Sequence, residues 1–233
     1  FVDVPVGGLL DRTYLAQRTK LINKDQDMGK AKAGTLPTAT AFVEGDTLAQ
    51  PSTSHISVVD ADGNAVSMTT SIEMAFGSTL MVRGFLLNNQ LTDFSFRAER
   101  DGKPVANRVE GGKRPRSSMS PVMVFDQDDR LVMVIGSPGG SRIINYVAKT
   151  LISVLDWKRN MQQAIDLPNF TNRNGSTDLE LDTAATALKP LLESKGHKVN
   201  VRELNSGLHG IRLTAQGLEG GADSRREGIV RGD

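Results

Sequence analysis

The chain contains no cysteine in its 233 residues. Disulfide bonds, thiolate nucleophiles and zinc sites built on cysteine are therefore excluded, whereas an oxidising compartment is permitted. Histidine is also scarce: His55, His197 and His209 stand far apart and match no metal-ligand spacing. The sequence predicts neither a bound metal nor a cofactor.

Neither sign of charge is in real excess, since 28 basic residues face 27 acidic ones and the formal net charge is +1. This balance gives no electrostatic reason to expect nucleic acid as a partner. No apolar run approaches the roughly 20 residues that a membrane-spanning helix needs, so no membrane span is predicted in this chain. The length fits one large domain or a tightly joined pair. The first residue is Phe1 and no signal peptide follows, which suggests a piece of a longer precursor.

A β-hairpin is predicted from Thr53 to Thr70. Apolar residues alternate along its first arm, Asp62-Gly63-Asn64 tolerates positive φ and closes a tight turn, and the second arm resumes the alternation. Thr53 stands where a polar loop becomes a strand. A threonine there is usually only a good strand former, but it becomes a nucleophile if its own α-amine is freed to act as the base. That reaction requires cleavage of the Ser52–Thr53 bond.

The chain before the hairpin divides into two parts. Helical spacing predicts a helix from Leu9 to Ile22, with Asp11 as its cap. From Asn23 to Ser52 no period is sustained, and the composition predicts a long loop. Such a loop leading into Thr53 has the accessibility that a processing site needs.

A strand, a glycine turn and a buried helix are predicted in the second half. Val122–Phe125 and Leu131–Ile135 form a second hairpin, and a helix runs from Arg142 to Leu155. Between them, Gly139-Gly140 lets the backbone approach a substrate, and amides near a helix N-terminus can face an oxyanion. An ordinary glycine turn is the alternative.

Further short elements follow, and Gly196 is expected to end the second of the helices. The helices are Met161–Asp166 and Thr186–Lys195, and the strands are Leu179–Leu181, His197–Val201, His209–Leu213 and Leu218–Ala222. Strands linked mainly as hairpins, with helices between them, favour stacked layers of antiparallel sheet and helix.

Four motifs, taken together and in this order, resemble the small subunit of the γ-glutamyltranspeptidases. They are Thr53 to Asp60 with 62–66, 86–90 with 93–95, 114–115 with 117–121, and Gly136 to Arg142. The resemblance implies an α+β fold of the N-terminal-nucleophile hydrolase type, a four-layer αββα sandwich of two stacked, mainly antiparallel sheets flanked by helices. It also implies autocleavage, with residues 1–52 as the end of a large subunit and 53–233 as the small subunit. The remainder of the large subunit is then a partner, and the location is periplasmic or secreted.

Catalytic roles follow from the same resemblance. Thr53 is expected to be the nucleophile, and Ser71, on the neighbouring arm, to hydrogen-bond its hydroxyl. A plain strand threonine and a sheet-edge serine are the simpler interpretations. The resemblance makes Gly139 and Gly140 the oxyanion hole.

Substrate recognition is expected at two polar clusters. Gln90 and Asp93 suit the α-ammonium of a γ-glutamyl group, whereas Ser117 and Ser118 suit its α-carboxylate. Without the family pattern these clusters are only a polar turn and a loop. Glu73 departs from the best-known members, which carry asparagine at this ammonium-binding position, and a carboxylate there accepts from an ammonium more strongly.

Three functions remain open on the sequence. The first is a γ-glutamyl transferase or hydrolase acting on glutathione and related small molecules, with an amino acid or water as acceptor. The second is a glutaryl or cephalosporin-type acylase of the same fold, which Glu73 keeps open although Gln90 and Asp93 favour the first. The third is an unprocessed, inactive homologue that serves as a scaffold or binding protein.

Overall fold

The structure is a computed structural model that describes residues 2–36 and 53–232. These ranges contain both helices and strands. The α-helices are α1 (Val6–Leu9), α2 (Arg12–Thr19), α3 (Ile143–Leu155), α4 (Met161–Asp166) and α5 (Lys189–Ser194). The strands are β1 (Thr53–Val59), β2 (Ala65–Ser71), β3 (Met81–Val82), β4 (Phe85–Leu86), β5 (Glu99–Arg100), β6 (Lys103–Pro104), β7 (Val122–Phe125), β8 (Leu131–Gly136), β9 (Phe170–Asn172), β10 (Thr177–Glu180), β11 (Val199–Arg202), β12 (His209–Thr214) and β13 (Gly217–Ala222).

The predicted first hairpin is confirmed as the antiparallel pair β1 and β2. Its turn is held by Asp60, whose Oδ1 accepts hydrogen bonds from the backbone of Asp62 and Asn64, while Gly63 takes a φ of 82°. Glycine meets no steric penalty at such an angle. The register places Thr53 directly opposite Ser71 at the open end of the hairpin.

The hairpin presents its polar face to the protein interior. His55 is 5 % exposed and its ring lies over Gly136, where a Cβ atom would come within 2.2 Å of the imidazole. Two hydroxyls bind carbonyls of the sheet beneath: Ser57 Oγ donates to His209 O at 3.2 Å and Ser67 Oγ to Ile135 O at 3.1 Å. We call the contact that His55, Ser57 and Ser67 make with the sheet the polar seam. It fixes the hairpin on the sheet through directional bonds rather than through apolar burial.

Beneath the hairpin lies an antiparallel sheet in the order β13-β12-β8-β7. Along β8 the side chains alternate, so that Gly136 faces the hairpin while Met133 and Ile135 join the core formed with α3 and α4. Tyr146 and Met161 fill that core from the helices. Hairpin, sheet and helices therefore form three layers, an α+β arrangement with several antiparallel sheets.

A smaller sheet in the order β11-β10-β9 flanks these layers. In this sheet β10 and β11 run parallel, as an exception to the mainly antiparallel pairing that the sequence predicts. Parallel strands need a crossover connection, and α5 lies in the connection between β10 and β11. The helix ends shortly before Gly196, whose φ is 93°.

One expectation needs correction. The predicted helix from Leu9 to Ile22 is confirmed only from Arg12 to Thr19, as α2, because Asp11 adopts an extended conformation and its Oδ1 caps α2 by accepting from Tyr14 N at 2.7 Å. Leu9 instead ends α1. The charged stretch between Arg97 and Arg116 contains the short β5–β6 pair.

The predicted loop from Asn23 to Ser52 is described only as far as 36, without helix or strand. Its remainder, 37–52, lies outside the described residues. Within the described ranges no helix combines the length and apolarity needed to cross a bilayer.

Stability should fall as the pH drops from about 6.5 to 4, because His55 must be neutral in the polar seam. Burial, together with the charge of His209, lowers the pKa of His55 from 6.5 to about 4. Between these values the unfolded chain binds a proton that the folded chain does not, so the stabilisation is complete above pH 6.5 and is lost toward pH 4, on the order of 3 kcal/mol. Urea unfolding at a series of pH values measures it.

His55→Gln is the matched variant, since it keeps polar atoms at the seam but does not titrate. The difference in unfolding free energy between wild type and this variant should shrink on acidification. A difference that stays constant from pH 7 to 4 would show that His55 is not held neutral.

Candidate active site

The open end of the hairpin forms one wall of a cavity that encloses about 420 Å³ of empty space, part of it open to solvent. Every predicted site residue except Gly139 lines it, and Gly139 is the immediate neighbour of the lining residue Gly140. The lining consists of Thr53, Ser71, Glu73, Gln90, Asp93, Arg116, Ser117, Ser118, Met119, Gly140, Ser141 and Ile143. Residues distant in the sequence thus meet at one site.

A chain of hydrogen bonds runs from the hairpin end into the cavity wall. Thr53 Oγ1 donates to Ser71 Oγ at 3.1 Å, and Ser71 Oγ accepts from the backbone of Glu73 at 2.9 Å. The strand register supplies the first contact, because it sets Thr53 opposite Ser71. The Thr53 hydroxyl is therefore held in one orientation at the cavity.

Glu73 is a buried carboxylate at the cavity wall, only 5 % exposed. Its backbone has a φ of 73°, which is uncommon for a residue other than glycine. Asn89 fixes the local geometry: its Nδ2 donates to Glu73 Oε2 at 3.0 Å, and its Oδ1 accepts from Met74 N at 3.0 Å. The strained backbone thus turns this carboxylate into the cavity region. The sequence predicted Glu73 there but not the role of Asn89.

Gln90 and Asp93 stand on one short 3₁₀ turn, Gln90–Asp93. Gln90 Oε1 is buried and accepts no hydrogen bond from the described residues. Burial raises the pKa of the Asp93 carboxyl, the charge of Glu73 raises it further, and Arg116 opposes them. This wall therefore suits a cation, because it combines the buried acceptor Gln90 Oε1 with the two neighbouring carboxylates of Glu73 and Asp93.

Two serine hydroxyls and an arginine also line the cavity. Ser117 Oγ accepts from Met119 N at 3.1 Å, and Ser118 lies beside it. Arg116 also lines the cavity, and Asn107 Oδ1 accepts its backbone N–H at 2.9 Å. Sequence reasoning missed Arg116, although its place beside the two serines was a usable signal.

The glycine turn follows the predicted course. Gly139 has a φ of 138°, and a Cβ atom there would come within 2.6 Å of the Tyr146 ring. Gly140 has a φ of 59° and begins the 3₁₀ turn Gly140–Arg142 that leads into α3. Backbone and packing both require glycine at Gly139, so the turn brings bare backbone to the cavity.

The geometry combines a positioned hydroxyl, a glycine turn, two neighbouring carboxylates and a pair of serine hydroxyls. In the described part of the chain no group of three or more potential ligands is placed to hold a metal. This arrangement suits acyl transfer to a hydroxyl with a zwitterionic acyl group.

The sequence as a whole matches the family model described as Gamma-glutamyltranspeptidase over residues 1–232. The chain belongs to the γ-glutamyltranspeptidase family. It is 36 % identical over 249 aligned positions to the glutathione hydrolase proenzyme of Bacillus subtilis strain 168, covering all of this chain and 40 % of that protein. The chain therefore spans about two fifths of that relative's length.

Solved structures agree with the family assignment. A mutant of Helicobacter pylori γ-glutamyltranspeptidase superposes with a TM-score of 0.66 at 33 % identity, covering 74 % of this chain and 99 % of that one. The cephalosporin acylase of Bacillus halodurans gives a TM-score of 0.78 at 26 % identity, covering 96 % of this chain and 39 % of that one. The chain thus shares its fold, over the covered residues, with both γ-glutamyltranspeptidase and acylase structures.

The pKa of Asp93 should respond in opposite directions to its two charged neighbours. Glu73→Gln removes a negative charge and should lower the pKa of Asp93, whereas Arg116→Gln removes a positive charge and should raise it. Carbon-13 NMR titration of the Asp93 carboxyl measures both shifts. Equal pKa values in the three proteins would mean that these side chains do not share a cavity.

Proposed function

We propose that the protein is a γ-glutamyl hydrolase and transferase that cleaves the γ-glutamyl amide of glutathione and related compounds through an ester on Thr53. The supporting observation is the polarity of the cavity. Gln90 Oε1 and the carboxylates of Glu73 and Asp93 suit an α-ammonium, and the hydroxyls of Ser117 and Ser118 suit an α-carboxylate. A γ-glutamyl group carries both charges on one carbon.

The wall that receives the carboxylate consists of Ser117, Ser118 and Arg116 in this proposal. The hydroxyls donate hydrogen bonds, and the guanidinium of Arg116, whose charge also acts on Asp93, adds a positive charge. With the zwitterion held at both ends, the γ-carbonyl reaches toward Thr53. Fixed orientation of this kind lowers the barrier because the reacting atoms are already in position.

Acylation begins with the Thr53 hydroxyl. Its oxygen attacks the γ-carbonyl carbon, and the freed α-amine of Thr53 takes the hydroxyl proton. Ser71 orients the hydroxyl through the observed hydrogen bond. Gly139 and Gly140 stabilise the tetrahedral oxyanion through their backbone amides. The carbon–nitrogen bond then breaks, the proton passes to the departing amine, and a γ-glutamyl ester remains on Thr53.

Deacylation reverses these roles. Water, or the amine of an acceptor amino acid, attacks the ester carbonyl and gives its proton to the α-amine of Thr53. The bond to the Thr53 oxygen breaks, and the hydroxyl regains a proton. Water yields free glutamate, whereas an amine yields a new γ-glutamyl amide.

Activity in this mechanism requires a free Thr53 amine. In the continuous chain the Thr53 nitrogen is an amide and cannot accept a proton. We propose that the precursor cleaves itself at Ser52–Thr53, which divides the chain into 1–52, from the large subunit, and 53–233, the small subunit.

The rest of the large subunit is the proposed partner, and the outer face of the hairpin offers a place for it. Four apolar side chains there, Ile56, Val58, Val66 and Met68, are 44–49 % exposed. Covering such a strip is favourable. Added elements on that face would complete a four-layer αββα sandwich. By family membership we further propose a periplasmic or secreted location.

A glutaryl or cephalosporin-type acylase is the second candidate, supported by the likeness to the B. halodurans enzyme. A glutaryl group has no α-ammonium, so it would leave Gln90 Oε1, Glu73 and Asp93 without a cation. The γ-glutamyl substrate fits these groups better. An inactive homologue is a third candidate, and the intact or cleaved Ser52–Thr53 bond distinguishes it.

Thr53→Ala in the full-length protein should leave a single uncut chain and abolish hydrolysis of γ-glutamyl-p-nitroanilide, because both steps use its hydroxyl. Thr70→Ala on the same hairpin is the control and should be cut and active. Denaturing gels with intact mass follow the cleavage. If Thr53→Ala were still cut before residue 53, self-cleavage by this hydroxyl would be refuted.

Asp93→Asn should reduce the preference for γ-glutamyl over glutaryl p-nitroanilide. The lost charge-assisted hydrogen bond is worth roughly 1.5–3 kcal/mol, so kcat/KM for the γ-glutamyl compound should fall at least about tenfold. The glutaryl compound, without an ammonium, should be unaffected or improved. Equal losses for both compounds would remove Asp93 from ammonium recognition, and a wild type that prefers the glutaryl compound would favour the acylase.

A further inference from the structure

A second cavity lies beside the active site, and arginines dominate its lining. It encloses about 460 Å³ of empty space, including its open side. We call it the arginine cavity. Its lining consists of Arg142, Arg173, Gly175, Ser176, Asp178, Asn200 and Arg202. The mechanism above uses none of these residues.

The charges in the arginine cavity do not cancel. Arg142 Nη2 donates to Asp178 Oδ2 at 2.9 Å, and Asn200 Nδ2 donates to Oδ1 at 3.2 Å. Burial would raise the pKa of Asp178, but these hydrogen bonds and the charges of Arg142 and Arg202 lower it overall, so it remains a carboxylate. Among the described lining residues, three guanidiniums therefore face one carboxylate.

One of the arginines that line this cavity has a nitrogen without an acceptor among the described residues. Arg142 Nε is buried and has no hydrogen-bond partner among the described residues. A buried donor in that state is costly unless a ligand or water accepts from it. Together with the excess positive charge, it indicates a site for an anion. Planar guanidiniums match the geometry of carboxylates in particular.

The arginine cavity and the active site share a wall. Ser141 lines the active site, while the adjacent Arg142 lines the arginine cavity. Arg173 Nη1 donates a hydrogen bond to Ser141 Oγ, which links the lining of the arginine cavity to that of the active site. The shared wall is the 3₁₀ turn Gly140–Arg142, at which the proposed mechanism places the scissile carbonyl. The amine portion of a γ-glutamyl substrate must extend beyond that carbonyl.

We propose that the arginine cavity is a carboxylate subsite for the amine portion of the substrate. It binds the C-terminal carboxylate of a peptide leaving group. An acceptor amine must enter where the leaving amine departs, so the same subsite binds the carboxylate of a peptide acceptor. The role in turnover rests on the proposed γ-glutamyl activity, but carboxylate binding does not.

The kinetic test compares glutathione with its C-terminal amide, which differ only in that carboxylate. For Arg202→Gln in the full-length protein, KM for glutathione should rise roughly three- to tenfold, as expected for the loss of one solvent-screened charged hydrogen bond. KM for the amide and for γ-glutamyl-p-nitroanilide should stay unchanged, as should kcat. Arg202 ends β11 at the surface, so the substitution leaves the core intact.

Arg130→Gln is the matched control, because Arg130 precedes β8 at the end opposite the glycine turn. It should change none of these values.

Calorimetric titration with glycylglycine and glycylglycinamide gives a readout that needs no turnover. The wild type should bind glycylglycine more tightly than its amide, and Arg202→Gln should reduce that difference. Equal binding of the two by the wild type, or equal KM changes for glutathione and its amide, would overturn the subsite. If the wild type binds glycylglycine more tightly than its amide but turns over no γ-glutamyl compound, the subsite stands and only the γ-glutamyl activity is refuted.

Discussion

The packing of His55 over Gly136 is the contact on which the active site depends. Because a side chain at Gly136 would occupy the place of the imidazole, the hairpin can approach the sheet closely only over glycine. The hydroxyls of Ser57 and Ser67 then fix its position through sheet carbonyls. This polar seam sets the open end of the hairpin, with Thr53, beside the turn that follows β8. Directional contacts suit this task, since an apolar face tolerates sliding more readily than a set of hydrogen bonds does.

The cavity concentrates features that are unfavourable for stability alone. Glu73 has a strained backbone, Gln90 Oε1 has no donor among the described residues, and the pKa of Asp93 is raised. Strain and perturbed titration are typical of functional sites rather than of cores selected for stability alone. An ammonium between these groups would supply a donor and positive charge together. The same reasoning applies to Arg142 Nε in the arginine cavity, with an anion as the ligand.

Local signals in the sequence predicted the elements that carry the site. The alternation of apolar residues and the turn at Gly63 predicted the hairpin. The order of the apolar run, the glycines and the helical pattern predicted the strand, glycine turn and helix around Gly139. The parallel pairing of β10 with β11 was not readable, because it depends on how a crossover packs in three dimensions. Nor was the position of Arg173, since a surface arginine outside any motif has no period and reaches its cavity only through the fold. Arg116 differs, because its place beside Ser117 and Ser118 was a usable signal. The family pattern, rather than spacing, assigned the roles of Gln90 and Asp93, and these roles remain predictions.

A γ-glutamyl ester on the hydroxyl of Thr53 is the intermediate on which the proposed function rests. To detect it, the full-length protein is quenched with acid during turnover of a γ-glutamyl donor and digested, and the peptide masses are determined. We expect a fragment that begins at Thr53, carries one added γ-glutamyl group, and loses it when an acceptor dipeptide is supplied before the quench. An added group on Ser71 or elsewhere, or turnover with a fragment that begins at any other residue, would refute the proposed mechanism.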